Sequence, residues 1–159
     1  DALVVDLRSV TPADDLLIED LGQMRGGFIC RVGHPLAKLN TPITFAHLQR
    51  YPLASTSLNP ELARLLITRY GPAADPQVAV TLRCNDVNSL LHAVHGSDAV
   101  FLGLVSPARE AIANGSLVEL PITPALNEGA RFAFVTLADR TEAPAMGIFR
   151  QFVAEHLHD

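Results

Sequence analysis

Three consecutive hydroxyl side chains, Ser55, Thr56 and Ser57, lie between a short apolar run and a segment with helical spacing. In open α/β sheets, ligands bind beyond the carboxyl ends of the strands, where the next helix presents free backbone N–H groups. Hydroxyls beside such N–H groups suit a carboxylate or a similar anion. The same residue types also cap helices, so Ser57 or Asn59 could instead satisfy the helix start and leave the other hydroxyls in a solvated turn.

A basic side chain follows the first apolar run, ALVVD, which ends at Asp6. The guanidinium of Arg8 presents a planar fork of donors that pairs with a carboxylate through two hydrogen bonds. A ligand carboxylate is one partner for this fork. The neighbouring Asp6 is another, and in that case Arg8 is a neutralised surface residue.

The remaining reactive residue types show no spacing that points to catalysis or to a metal. The sequence contains no GxSxG elbow, phosphate-binding loop, dinucleotide fingerprint or CxxC pair, so neither an enzyme nor a cofactor is expected. His92 and His95 are three residues apart, but the sequence fixes no third ligand near them, so no metal site is predicted. Cys30 and Cys84 are far apart in the sequence and are interpreted as reduced, buried thiols.

The composition is that of a folded domain. Of the 159 residues, 48% are apolar and 18% are charged, which is enough for one sizeable core or two small lobes. The net charge of −5 argues against DNA binding by this chain alone, because nonspecific binding depends on clustered Lys and Arg. No apolar run is long enough to span a membrane and the N-terminus has no signal-peptide pattern, so we expect a soluble, cytoplasmic protein.

Apolar runs alternate with helical patterns along the chain. Strands are predicted at residues 3–5, 28–32, 51–54, 78–84, 99–105, 117–120 and 131–137. Helices are predicted at residues 44–48, 60–70, 87–95, 106–114 and 145–157, the last with Ile148, Phe149, Phe152, Val153 and Leu157 on its apolar side. This alternation is typical of parallel β-α-β units, in an α/β fold with helices on both faces of the sheet.

The order of several short landmarks resembles a known family. The landmarks are ALVVD near the N-terminus, GHPLA, FAHLQRYPLASTS, VNSLLHAVHGSDAV, NGSLVEL and PAMGIFRQFVAEHL near the C-terminus. Together they resemble the effector-binding (substrate-binding) domain of LysR-type transcriptional regulators across essentially the whole chain. The resemblance implies a type II periplasmic-binding-protein-like fold, with two lobes of parallel-rich sheet, helices on both faces and an incomplete first lobe.

The resemblance also implies how the chain is divided and what it binds. Residues 1–27 would form part of the first lobe, residues 28–120 the second lobe, and residues 121–159 the return crossing with the closing strand and helix of the first lobe. A small-molecule effector, carboxylate-bearing in view of the hydroxyls and Arg8, would lie in the cleft between the lobes. The regulator would be a homodimer or homotetramer without membrane contact, and it would reach DNA only through a separate N-terminal domain.

The implied effector-binding residues fall into three groups. They are Asp6 and Arg8, the hydroxyls Ser55, Thr56 and Ser57, and the wall formed by Gly103, Leu104 and Val105. Gly103 stands where the family commonly has a proline, so it is predicted to leave more room or to allow a different backbone angle. A solute-binding receptor of a transport system is the alternative, because it would share the fold and the cleft; it would carry an export signal, whereas a regulator has a DNA-binding segment upstream.

Overall fold

The computed structural model describes residues 2–138 and 143–156, so Leu157 of the last predicted helix lies outside the described residues. The contacts divide the chain into a first unit, formed by Asp1–Arg25 with Glu128–Asp159, and a second unit, formed by Gly26–Asn127. The strands are β1 (Ala2–Asp6), β2 (Leu16–Arg31), β3 (Leu53–Ser55), β4 (Val80–Arg83), β5 (Val100–Leu104), β6 (Leu117–Glu119) and β7 (Gly129–Leu137). The helices are α1 (Phe45–Leu48), α2 (Pro60–Tyr70), α3 (Pro76–Ala79), α4 (Val87–His95), α5 (Arg109–Ala113) and α6 (Pro144–His156).

The sheet of the first unit is antiparallel. β7 lies between β1 and the first part of β2, and it pairs with both in the antiparallel sense. The pairing with β2 shifts register between Asp20 and Gly22, where Gly22 has a φ of 109° and its N–H donates to Oδ1 of Asp20 at 2.9 Å. A bulge of this kind favours glycine, because other residues rarely adopt positive φ.

Helix α6 covers one face of this sheet with only part of its predicted apolar side. The Phe149 ring lies against Phe134 of β7, with ring centroids 5.8 Å apart, and Val153 is buried. Ile148 and Phe152 remain 73% and 56% exposed. The helix lies where the amphipathic pattern predicts it. Its apolar face is wider than the part that packs against the sheet, so some apolar side chains stay exposed.

The second unit has a mixed sheet with helices on both faces. Its strand order is β2, β5, β3, β4, with β6 on the other side of β2. The pairs β3–β4 and β3–β5 are parallel, as the β-α-β pattern predicts, whereas β2 is antiparallel to both β5 and β6. One core forms around Phe28, Leu66 and Val100, and the other forms around Phe101 and Leu90. Alternate residues of the same strands enter different cores, so the predicted α/β class with two covered faces is confirmed.

Strand β2 is longer than the strand predicted at 28–32. It begins at Leu16 and passes through Gly26 and Gly27, which pair with β5. A Cβ atom on Gly27 would lie 2.8 Å from Cγ2 of the buried Val105, so any larger residue at this position would have to displace that side chain. The strand continues through Gly26 and Gly27 because their pairing with β5 offsets the conformational freedom that glycine loses in a strand.

Helix α2 begins and ends at the predicted residues. The side chain of Asn59 accepts a hydrogen bond from the Leu62 N–H at 2.8 Å, and Pro60 occupies the first helical position. Gly71 follows the last residue with a φ of 90°. These signals are local, which is why the sequence pattern predicts them well.

The strand predicted at 78–84 begins later, because its first residues belong to α3. The Asp75 carboxylate accepts the Gln77 N–H at 2.9 Å, and Pro76 fills the first helical position. Val78 is 73% exposed in this short helix. A cap and a proline thus outweigh the strand preference of a β-branched residue.

His34 has a larger structural role than a turn residue. It is fully buried, and its Nδ1 accepts the Leu36 N–H at 3.0 Å. Because Nδ1 accepts, Nε2 carries the ring proton and donates it to the Asp98 carbonyl at 3.1 Å. The ring also packs edge-on against Tyr51 at 4.5 Å. The GHPLA segment is therefore tied to the loop before β5.

None of the described helices is long and apolar enough to cross a bilayer.

Candidate functional site

The parallel strands β3, β4 and β5 end at the same edge of the second unit's sheet. We call residues 55–59, 83–86 and 103–106 at these strand ends the carboxyl edge. Its first two segments are joined by a hydrogen bond of 3.3 Å from the Ser57 hydroxyl to Oδ1 of Asn85. Ligands of open α/β sheets bind at such edges, so this part of the molecule is the candidate site in the second unit.

Ser55 is the buried member of the hydroxyl triplet. Its side chain is completely inaccessible to solvent, and its hydroxyl donates to the Leu102 carbonyl at 2.7 Å. This bond links β3 to β5 inside the sheet. The hydroxyl of Ser55 therefore already has a partner. Ser55 would contribute to ligand binding by holding the end of β3 in position.

Thr56 and Ser57 remain accessible at the carboxyl edge. Asn59 caps α2, so of the two predicted caps it is Asn59 and not Ser57 that satisfies the helix start. Thr56 is half-buried, and its hydroxyl makes no hydrogen bond to any described residue. Capping thus uses none of the triplet, which leaves the Thr56 hydroxyl available to a ligand or to water.

A cavity of about 360 Å³ adjoins these hydroxyls within the second unit. It lies between one side of α2 and the segment that contains α3 and β4. The polar residues that line it include Thr56, Ser57, Arg64, Asp75 and Arg83. Its apolar lining includes Leu58, Ala63, Ile67 and Val80. A volume of this size is in the range of small-ligand sites.

The two arginines of this cavity were not among the predicted site residues. Arg83 is the last residue of β4. It therefore lies at the carboxyl end of a strand, which is also the feature that made Arg8 a candidate after β1. The strand-end signal was therefore present, but the predicted strand ran past Arg83 to residue 84. Arg64 lies within α2, where an arginine on a helix has no sequence signal that distinguishes it from a solvated one.

The structure explains the glycine at position 103 differently from the prediction. A Cβ atom there would lie 2.3 Å from Cζ of Phe101, so the buried Phe101 ring fills the space beside the glycine. Gly103 is also not among the glycines with positive φ in the described chain. It therefore provides neither open room nor an unusual backbone angle. The rest of this predicted wall is partly inaccessible, since Val105 is buried and Leu104 half-buried.

We expect Gly103→Ala to destabilise the chain by about 2 kcal/mol, because the added methyl group must displace an aromatic ring in a packed core. Urea unfolding followed by circular dichroism measures this loss. Gly96→Ala is the matched control: a Cβ there would meet its nearest atom at 3.7 Å, and its φ of −92° is accessible to alanine. Adding Phe101→Leu to Gly103→Ala should cost less than the two single losses combined; full additivity would contradict the steric explanation.

In the first unit, Asp6 and Arg8 form a tight pair. The Arg8 Nε donates to Oδ1 of Asp6 at 3.0 Å, and Nη2 donates to Oδ2 at 2.8 Å and to the Gly129 carbonyl at 2.9 Å. Partial burial would by itself raise the pKa of Asp6, but the hydrogen bonds and charge of Arg8 outweigh it and hold the pKa below its ordinary value. A ligand carboxylate would have to compete with Asp6 for this guanidinium.

The remaining reactive residues do not converge on a second site. His92 and His95 are exposed on α4, and within residues 2–138 and 143–156 no group of three or more His, Cys, Asp or Glu side chains is placed to hold a metal ion. Cys30 is buried in the second unit and Cys84 is half-buried, and both are free thiols. Burial raises the pKa of the Cys30 thiol to about 12.

The chain is similar in structure to several regulator domains. The CrgA regulatory domain, from a LysR-type regulator of Neisseria meningitidis, aligns with a TM-score of 0.74 and 16% identity over 99% of this chain and 76% of that one. The effector domain of AmpR from Pseudomonas aeruginosa aligns with a TM-score of 0.66 and 18% identity over 91% and 67%. At such identities these similarities establish the fold alone, which is the predicted periplasmic-binding-protein-like one.

Family membership comes from the sequence itself. No curated protein matches the chain. A family model described as the LysR substrate binding domain matches residues 1–158, which is nearly the whole chain. The chain therefore belongs to the family of substrate-binding, or effector-binding, domains of LysR-type transcriptional regulators.

Proposed function

We propose that this domain senses a small anionic effector, and that the carboxyl edge of the second unit supplies the principal contacts. Domains of this family sense ligands and are not enzymes. The observation that carries the proposal is Thr56, a half-buried residue whose hydroxyl has no hydrogen-bond partner among the described residues although it lies three residues before the cap of α2. The cap of that helix is provided by Asn59, so the hydroxyl of Thr56 is not needed to cap it.

The preference for an anion rests on the charges around the proposed contacts. Arg64 and Arg83 line the cavity beside Thr56, and one carboxylate, Asp75, accompanies them. In the first unit, Arg8 carries a guanidinium whose partner is the Asp6 carboxylate. Guanidinium groups recognise carboxylates through paired, charge-assisted hydrogen bonds.

We propose that all three predicted groups of effector-binding residues contribute, each in a different way. Asp6 and Arg8 form an ion pair that a carboxylate ligand would open. Ser55 positions the end of β3, while Thr56 and Ser57 contact the ligand. Gly103, Leu104 and Val105 support the carboxyl edge through the packing of β5.

We further propose how sensing is transmitted. A ligand shifts the balance between two conformations only by binding one of them more tightly, so the effector would favour one arrangement of a homodimer or homotetramer. DNA would be contacted by a separate N-terminal domain, since the net charge of −5 does not suit phosphate binding by this chain. A cytoplasmic location follows from that role. The alternative of a transport receptor shares the fold, but the family match supports the regulator.

A thermal-shift screen of the chain against small carboxylates, aromatic acids and amino-acid-derived acids tests this proposal. A ligand that binds only the folded state stabilises it by about 2.7 kcal/mol at a hundredfold excess over Kd, so a true effector gives a concentration-dependent rise in Tm. We expect Thr56→Val to raise the Kd of such a ligand about tenfold, because one hydrogen bond is lost, and to leave the Tm without ligand nearly unchanged.

Thr41→Val is the matched control, because Thr41 is an exposed threonine of the same unit that does not line the cavity. It should change neither the Kd nor the Tm. A large loss of Tm in Thr56→Val with unchanged affinity would instead give Thr56 a structural role. If the ligands that stabilise the chain are cationic or neutral and no acid does so, the anionic preference is wrong.

A further inference from the structure

We infer that the cavity beside α2 anchors the anionic end of a ligand that has an apolar body, with Arg83 as the fixed anion-binding residue and Arg64 as the mobile one. This inference deepens the proposed function and rests on it, because it assigns the charged group of the effector to two named arginines. All residues of the cavity belong to the second unit.

Arg83 is held in place at one wall of the cavity. Its Nη2 donates to the Pro76 carbonyl at 2.6 Å, and its Nη1 approaches Oε1 of Gln77 at 3.4 Å. A guanidinium has five N–H donors. The two bonds to α3 therefore orient the group and leave the other donors unused by the described residues, so little ordering entropy would be lost when it binds an anion.

Arg64 faces the same cavity from α2 without a fixed partner. Its guanidinium makes no hydrogen bond or ion pair with any residue in the described part of the chain. The nearby Asp75 carboxylate forms no ion pair with either arginine in the described part of the chain; it accepts the Gln77 N–H and so caps α3. Two guanidinium groups and one carboxylate leave the cavity with a net charge of +1, although the chain as a whole carries −5.

The apolar side of the cavity limits the ligand further. Ala63 and Ile67 lie four residues apart on one side of α2, and Val80 of β4 and Leu58 add to the same lining. A small inorganic anion would leave this apolar surface in contact with water. An anion with an aliphatic or aromatic body of a few carbon atoms would cover it, so the lining favours an amphipathic carboxylic acid.

The test uses hexanoate as the probe and ¹⁵N nuclear magnetic resonance of the whole chain. We expect saturable shifts of the Arg83 and Arg64 side-chain Nε–H signals and of the Ala63 amide. Butyrate should bind about tenfold or more weakly, because each buried methylene contributes roughly a fourfold change in Kd. Hexylammonium, which has the same apolar body and the opposite charge, should cause no shift at these positions.

Three variants identify the residues responsible. Arg83→Gln should raise the Kd for hexanoate tenfold or more, and Arg64→Gln about threefold, as expected for a fixed and a solvated cation. Ala63→Leu fills the cavity without changing any charge, so it should abolish binding even if Arg83→Gln fails to fold. Arg50→Gln is the matched control, since Arg50 is an exposed arginine of the same unit that does not line the cavity.

Equal binding of hexanoate to the wild-type chain and Ala63→Leu, or no saturable shift at all, would overturn this inference. It would also fail if an effector from the thermal-shift screen lost affinity in Thr56→Val but bound Arg83→Gln and Arg64→Gln normally; in that case the proposed function would stand. Hexanoate binding at the arginines, together with an unchanged Kd in Thr56→Val, would support the cavity and contradict the role proposed for Thr56.

Discussion

In the folded chain, Cys30 is expected to react with a disulfide reagent at pH 8 about a thousandfold more slowly than in the unfolded chain, since its thiolate fraction falls tenfold per pKa unit. Burial raises the pKa of this thiol from 9.0 to about 12. The side chain is also completely inaccessible to solvent. Release of the coloured thiolate from Ellman's reagent, with and without concentrated guanidinium chloride, measures the two rates.

The second cysteine provides the control for this experiment. Cys84→Ser isolates the reaction of Cys30, and Cys30→Ser isolates the reaction of the half-buried Cys84, which should be modified faster in the folded chain. A folded-state rate for Cys30 within a few-fold of the unfolded rate would show that β2 opens readily. The raised pKa also sets a pH dependence: the contribution of Cys30 to stability is complete below pH 9.0 and is lost as the pH rises towards about 12.

Gly129→Ala should be the most destabilising single methyl addition that we propose, with a loss of about 3 kcal/mol or more. A Cβ atom at this position would lie 1.7 Å from the carbonyl oxygen of Met24 and 2.7 Å from Cα of Arg25. Both are backbone atoms of β2, which pairs with β7 at this point, so no side-chain rotation relieves the clash. The strands must separate locally, and the hydrogen bond from Arg8 to the Gly129 carbonyl would be strained as well.

Gly147→Ala is the matched control for Gly129→Ala. Gly147 lies in α6, and a Cβ there would meet no atom within 4 Å. Because alanine is the better helix former, this variant should gain up to about 1 kcal/mol. Urea unfolding of both variants tests the pair, and amide hydrogen exchange along β7 locates the change. Similar stabilities for the two variants would show that β7 can move away from β2 at little cost.

The helices with strong local signals could be predicted from the sequence. Asn59, Pro60 and Gly71 mark both ends of α2, and Asp86 begins α4 by accepting the Asn88 N–H at 3.0 Å. Such caps act between residues that are two or three positions apart, so they depend little on the rest of the molecule. The order of these landmarks along the chain was also enough to indicate the family.

Some elements depended on pairing that no local pattern contains. β2 runs through Gly26 and Gly27 because β5 pairs with them, and α6 exposes Ile148 and Phe152 because the sheet covers only part of its apolar side. A pattern of apolar residues shows which side chains prefer burial. It does not show how much surface is available to bury them.

The same division applies to the proposed site. The hydroxyls between β3 and the start of a helix could be predicted from the sequence, because the strand, the turn residues and the cap are contiguous. The packing of the chain was needed to show that Ser55 bonds to Leu102, that Thr56 has no partner among the described residues, and that Arg64 and Arg83 line one cavity. These relations join residues that are far apart along the chain, and they arise when helices and neighbouring strands pack together.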